Sequence, residues 1–224
     1  MSSSPMRSST RKKLKADLIW STPNGDELVA RMARVSNPAN ENNTETAPRL
    51  ISYLMRNKHW SPFEMVNACV LIEVPRDIGR QILRHRSFRF QEFSGRYAEY
   101  EDLYARREGR LQDTANRQNS LALVDKTKQF LWERLVATVR ATCLASYRTA
   151  LDMGIAKEVA RALLPEGLIP SRMYINGDLR SWIHYWSVRC DPATQKEHRE
   201  VAEATRGLIL EKFPMIKEAL DQAT

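Results

Sequence analysis

Apolar positions recur at helical spacing over most of this chain and at strand spacing over a small part of it. Residues 1–15 have no apolar period and read as a disordered basic tail, with a single domain expected over 16–220. Residues 17–20 suit a short strand. Pro23-Asn24-Gly25 then turns the chain into a helix predicted over 26–35, with Leu28, Met32 and Val35 at helical spacing. A second helix is predicted over 46–58, with Pro48 in its first turn and Leu50, Ile51, Leu54 and Met55 on one side. Ser61-Pro62-Phe63-Glu64 has capping-box spacing with proline at the first helical position. The best strand is 67–74, because Ala68 to Val74 is short, apolar and rich in β-branched residues. Pro75 ends it and opens a helix predicted to continue through 84–86.

Downstream, 105–120 is polar and charged without period, which predicts a surface loop or a mobile lid. One long helix is predicted over 121–153, with Leu131, Leu135, Val139, Cys143, Tyr147 and Leu151 as its buried stripe. A shorter helix over 155–164 stops at Pro165, and 171–175 reads as a strand. Gly177-Asp178 reads as a turn, with Asp178 as N-cap of a helix to about residue 190 in which Trp182 and Trp186 face the core. The last helix is predicted over 194–213, with Thr194 and Glu197 as a capping box. Many helices with two or three strands make an α+β domain around a small, mainly antiparallel sheet.

Composition narrows the function. Hydrophobic residues make up 42% of the chain, yet no apolar run approaches the roughly 20 residues of a membrane span. The N-terminus lacks the apolar region of a secretory signal, so a cytoplasmic protein is expected. The net charge of +8 invites a nucleic-acid reading, but five of those charges lie in residues 1–15, which hold no acid. Cys69, Cys143 and Cys190 are odd in number with no Cys-x-x-Cys spacing, and no two histidines stand four apart, so neither a disulfide framework nor a metal site is expected. Eight glycines, none spaced as a phosphate-binding loop, leave a nucleotide to be held by side chains and helix ends.

The densest chemistry lies in the segment from Arg84 to Tyr97: Arg84-His85-Arg86, then Glu92, Phe93, and Ser94-Gly95-Arg96-Tyr97. Guanidinium groups stay charged and offer a planar fork to phosphates and carbonyls. A solvated arginine face is the plain alternative, and the aromatics Phe88, Phe90, Phe93 and Tyr97 argue against it by pinning the segment to the body. Ala33-Arg34-Val35-Ser36, His59-Trp60-Ser61-Pro62-Phe63-Glu64, Ala160-Arg161-Ala162-Leu163-Leu164-Pro165 and Gly177-Asp178-Leu179-Arg180-Ser181-Trp182-Ile183-His184 stand around it, followed by Arg189. In this order, over roughly 17–215, the chain resembles the flavin-dependent thymidylate synthases.

That resemblance implies methylation of dUMP at C5, with 5,10-methylenetetrahydrofolate as carbon donor and NADPH as reductant through FAD. It also implies a homotetramer whose active sites are shared between subunits, with no membrane and no specific nucleic-acid partner. Matching positions imply flavin contacts from Ser61, Arg84, His85, Arg86, Glu92, Asp178, Leu179, Arg180 and His184. They imply dUMP contacts from Gln81, Ile82, Leu83, Arg84, Glu92, Phe93, Ser94, Gly95, Arg96, Arg161 and Arg189, with His59 beside the flavin ring where folate stacks. Arg189 is the expected catalytic residue, stabilising negative charge at the pyrimidine edge. Arg96 and Arg161 would hold the 5′-phosphate, and Ser94 is read as a substrate ligand rather than a nucleophile.

Plainer readings stand beside these: Ser61 as an N-cap, His184 as a core histidine, Arg161 as a surface residue pairing with Glu158. Arg180 and Arg189 lie half a turn apart on an ideal helix at about 100° per residue, so either the helix distorts or its two faces serve different parts of the site. Gln91, Arg89 and Asp178 depart from the residues usual in the family, and a carboxylate at 178 repels phosphate. The competing functions are a basic nucleic-acid-binding module and a family member acting on another pyrimidine nucleotide or on hydroxymethylation.

Overall fold

The structure is a computed structural model describing residues 15–104 and 107–222; the expected tail lies outside the described residues except for Lys15, which begins the first strand. The described chain divides into two compact units: residues 15–73, 80–92 and 172–222, and residues 74–79 with 93–171.

The first unit is organised on a four-stranded sheet in the order β1-β2-β6-β3. Its strands are β1 Lys15–Ser21, β2 Asn67–Pro75, β3 Arg89–Glu92 and β6 Pro170–Asp178. β1 runs antiparallel to β2, with Lys15 opposite Glu73, and β3 antiparallel to β6, with Arg89 opposite Asn176. β2 is buried along Ala68 to Ile72, as its unbroken apolar run demands. Helices α1 Gly25–Ala33, α2 Ala47–Arg56, α6 Leu179–Arg189, α7 Lys196–Leu210 and α8 Pro214–Asp221 supply the rest of this core. Trp182 is fully buried and donates its indole N–H to the Ala68 carbonyl at 3.1 Å, tying α6 to β2. Asp178 caps α6 as expected, accepting from the Ser181 N–H at 2.7 Å.

Four expectations change here. Helix α3, Arg76–Ile82, stops short of 84–86, and Arg84 and His85 lie in turns bonded back to Gln81 and Ile82. The chain leaves the helix so that Phe88 can pack on Trp182, with ring centroids 4.5 Å apart, and β3 can join β6. Gly177 lies within β6 rather than in a turn; a Cβ there would stand 2.3 Å from the Phe88 ring, so close approach is what requires glycine. Ser61 opens a 3-10 turn, Ser61–Met65, whose capping position is Trp60, with no side-chain cap. The predicted last helix is two: α7 begins at Lys196 without a side-chain cap, Thr194 donating instead to the Val188 carbonyl, and α8 follows Phe213. Both oxygens of buried Asp26 accept the Met215 and Ile216 N–H groups, a cap for α8 supplied from α1.

The second unit is built around α4, Lys126–Asp152, capped by Asp125 on the N–H groups of Thr127 and Lys128. Its core joins Tyr100, Leu103, Val136, Leu144, Tyr147, Ala160, Leu164, Leu168 and Ile169. The expected stripe holds only at its C-terminal end, where Tyr147 is buried and Leu151 packs on the core; Leu131, Leu135 and Val139 are 55%, 62% and 45% exposed, and Cys143 is half-buried. The stretch expected as a loop or lid carries a hairpin, β4 Arg110–Gln112 with β5 Ser120–Ala122. Asp113 builds its turn by accepting the N–H groups of Ala115 and Asn116. The short helix expected over 155–164 is α5, Lys157–Ala160, extended by a 3-10 turn, Arg161–Leu163.

Candidate active site

In the first unit the loop before the 3-10 turn, the turn at 86–87, β3 and the start of α6 line one groove of about 660 Å³. Arg86, Arg89 and Arg180 bring three guanidinium groups to it, Trp60 and His184 bring flat rings, and Glu64 and Asp178 bring carboxylates. Arg180 pairs with Glu64. Both partners are about half exposed, so the pair is weak and open to exchange for a ligand's phosphate. His184 is exposed on the groove and is not the core histidine that was the plain alternative. Cations beside flat rings suit a cofactor with a diphosphate and a planar ring system, and on that donor set the groove fits FAD.

α6 runs unbroken to Arg189, so its two arginines do serve different faces. Arg180 turns to Glu64 and the groove, whereas Arg189 donates its Nε–H to His85 Nε2 at 2.9 Å. Burial, with the charge of Arg189 next, pushes His85 down to about 4, so at neutral pH its Nε2 is a free acceptor for that bond. Using Nε this way leaves the outer nitrogens of Arg189 for a ligand.

Behind this pair lies a buried polar cluster that the sequence reading missed. Gln81 Nε2 donates to Gln195 Oε1 at 2.7 Å, Gln81 Oε1 stands 3.2 Å from His198 Nδ1, and His198 Nε2 stands 3.1 Å from the Tyr185 hydroxyl. His198 is fully buried. The only sequence signal for it was a histidine three positions from Gln195 on a helix, which marks a shared face and nothing more.

Other expected residues stand apart from the groove. His59 is exposed, edge-on to Tyr53, and Ser61 and Arg84 are exposed, none of them among its lining residues. Glu92 lies 4.0 Å from Arg80. Ile82 is buried in the core, Leu83 is half-buried, and Leu179 is buried with its N–H on the Val66 carbonyl. Ile82 and Leu179 are packing residues in the folded chain.

The second unit gathers its own arginines. Arg96 pairs with the Glu158 carboxylate at 3.4 Å, and Arg161 donates Nε–H to the Glu158 carbonyl at 3.2 Å. The expected Arg161–Glu158 pairing is thus to the backbone, and the carboxylate belongs to Arg96. Ser94 Oγ accepts the Arg96 N–H, and Gly95 is seated against the Tyr100 ring, where a Cβ would come within 2.5 Å. Phe93 packs edge-on to the same ring. Ser94, Gly95 and Arg96 lie on one turn, which Glu158 links to Arg161 through its carboxylate on one side and its carbonyl on the other, and no histidine is bonded to Ser94 among the described residues.

Burial pushes the thiols of Cys69 and Cys190 up, away from thiolate character. Among the described residues no group of His, Cys, Asp or Glu is arranged to hold a metal ion, and no helix is long and apolar enough to cross a membrane.

An arginine-lined groove with flat rings and a separate arginine–serine cluster is the equipment of a protein that handles phosphorylated, planar ligands. The chain matches the family described as "Thymidylate synthase complementing protein" over residues 17–215. It is 48% identical over 197 residues to the flavin-dependent thymidylate synthase of Synechocystis sp., covering 87% of this chain and 88% of that one. It is 43% identical over 196 residues to the "Probable flavin-dependent thymidylate synthase" of Paramecium bursaria Chlorella virus 1, covering 88% and 90%. The crystal structure of a UMP/dUMP methylase PolB from Streptomyces cacaoi, bound with 5-Br dUMP, aligns with a TM-score of 0.80 at 28% identity, covering 95% of this chain and 96% of that one. The chain belongs to the flavin-dependent thymidylate synthase family.

Proposed function

We propose that this protein converts dUMP to dTMP, taking the carbon from 5,10-methylenetetrahydrofolate and releasing tetrahydrofolate. When bound, FAD supplies the route by which two electrons of NADPH reduce the transferred methylene to methyl. The observation that carries the reading, beyond family membership, is Arg189 anchored through Nε to a neutral His85. A guanidinium so held presents its outer N–H groups in a fixed direction. Against the N3 and carbonyl edge of uracil it stabilises the negative charge that makes C5 nucleophilic. Gln81 and Glu92 add contacts to the same substrate.

Arg96 and Arg161, with Ser94 and Gly95, take the 5′-phosphate. The Arg96–Glu158 pair is more than half exposed on both sides and yields to a phosphate at little cost. Arg86, Arg180 and His184 hold FAD in the groove, and Ser61, Arg84 and His59, which lie outside it in the same protomer, act on a cofactor shared between subunits, His59 stacking with folate beside the ring. The protein works in the cytoplasm as a homotetramer with shared sites, which agrees with the apolar side chains that one protomer leaves exposed on α4.

The test is direct. Purified protein should be yellow, should bleach with NADPH under anaerobic conditions, and should do so faster with dUMP present. With methylenetetrahydrofolate it should form dTMP and tetrahydrofolate, and faster from dUMP than from UMP. A colourless protein that FAD fails to reconstitute sinks the enzyme reading, and a preference for UMP moves the substrate.

A further inference from the structure

The buried cluster behind Arg189 has a direction, and one acceptor sets it. Gln195 Nε2 lies 3.2 Å from Glu197 Oε2, and an ionised carboxylate can only accept. The Gln195 nitrogen is therefore its donor end, and its Oε1 must accept the Gln81 Nε2–H. That turns Gln81 Oε1 toward His198, so His198 carries its proton on Nδ1 and donates it. Nε2 is then a bare lone pair that accepts the Tyr185 O–H. Burial pushes the Tyr185 phenol up and holds His198 low, down to about 3, so Tyr185 keeps its proton to give and His198 stays neutral. Reversing any one bond would leave two donors or two acceptors facing each other.

We infer that His198 is a positioning residue for dUMP binding: its Nδ1–H and the Gln195 Oε1 clamp the Gln81 amide from both ends and leave one N–H and one oxygen lone pair of Gln81 aimed at the substrate. The inference rests on Gln81 being a dUMP contact in the function proposed above. An apolar residue of similar size would fill the space behind α3 without burying two ring nitrogens, so packing alone does not account for a histidine here. Both nitrogens are satisfied, and the bond that Nδ1 makes holds Gln81 in the rotamer and amide orientation that Gln195 sets. A free glutamine side chain would lose its rotamer entropy on binding; this one has already lost it.

The experiment compares His198→Leu, His198→Asn, Gln195→Leu and Gln81→Ala in the flavin-loaded enzyme. It measures dUMP affinity by titration, KM for dUMP against kcat, flavin content and thermal midpoint. His198→Leu should weaken dUMP binding about ten-fold, the size of one lost hydrogen bond to a buried acceptor, with flavin content unchanged. His198→Asn places a side-chain N–H near the Nδ1 position and should recover most of that loss. Gln195→Leu, at the half-buried start of α7, should weaken dUMP binding in the same sense even if the His198 variants fold poorly. Combined with Gln81→Ala, His198→Leu should cost nothing further, because the clamp then has nothing to hold. The inference is overturned if His198→Asn binds dUMP as weakly as His198→Leu, if Gln195→Leu binds like the parent, or if the Gln81→Ala and His198→Leu losses add. Failure of the functional reading looks different: the parent enzyme itself would not bind dUMP, or Gln81→Ala would leave its affinity unchanged.

Discussion

A neutral histidine with both nitrogens engaged makes the chain sensitive to acid. Burial, then the charge of Arg189, then His85, holds His198 at about 3 against the ordinary 6.5, and His85 is held at about 4. Between those values and pH 6.5 the unfolded chain takes up protons that the folded chain refuses. Stability present above pH 6.5 is therefore lost as pH falls, at about 1.4 kcal/mol per pH unit for fully buried His198. Urea midpoints should drop steadily from pH 7 to pH 5, and His198→Leu should flatten that slope. An unchanged slope in the variant would assign the acid sensitivity to other groups. Single residues were also where the sequence was most legible: Arg86, Asp178, Arg180 and His184 do line one groove, because the local motif fixes their spacing on one turn and one helix start. Glu64 and Arg89 line it too. The first had been read as half of a capping box and as the end of a family motif, with no contact of its own, and the second only as a departure from the family, since nothing local says which way either side chain turns.

Asp178 serves two purposes at the scale of the element, and they pull apart. Its Oδ1 caps α6 through the Ser181 N–H, and the same carboxylate stands on a groove whose other walls carry three guanidinium groups. A helix N-terminus favours an anion, so the cap is sound, but a fixed negative charge there opposes a phosphate. Asp178→Asn keeps the acceptor and removes the charge. It should leave the thermal midpoint nearly unchanged and tighten FAD binding several-fold, whereas Asp178→Ala should cost about 1 kcal/mol through the lost cap. Weaker FAD binding in the Asn variant would show that the carboxylate is a ligand to the cofactor. This cap was readable because donor and acceptor lie three residues apart, although the same kind of spacing at Ser61 and Thr194 produced none. The cap on α8 was not, since its acceptor, Asp26, is 189 residues from Met215. The long helix failed for a different reason. A step of four residues advances about 40° beyond a full turn, so the stripe from Leu131 to Leu151 winds roughly halfway round α4. Val136, Leu144 and Tyr147 keep to one side and are the residues buried.

What the winding leaves outside is informative for the whole molecule. Phe130, Leu131, Leu135 and Val139 are all exposed on α4, and Trp132, Leu135, Val136, Val139 and Leu168 line an apolar groove of about 510 Å³. A lone protomer would carry that surface into water, where each fully exposed leucine forgoes roughly 2 kcal/mol of burial. The same side chains buried between copies of the chain turn the cost into cohesion, and the expected sharing of active sites between subunits makes that burial a condition of catalysis. Leu135 suits a test because it contributes nothing to the protomer's own core, so charge placed there should spare the fold. Leu135→Lys should keep its helical content and thermal cooperativity yet sediment as a smaller species than the tetramer proposed for the parent. Dissociation should also strip flavin and abolish dTMP formation together, and raising the protein concentration should restore all three in parallel. A Leu135→Lys protein that remains tetrameric and active would place α4 outside the interface, and the exposed apolar residues would then need another occupant.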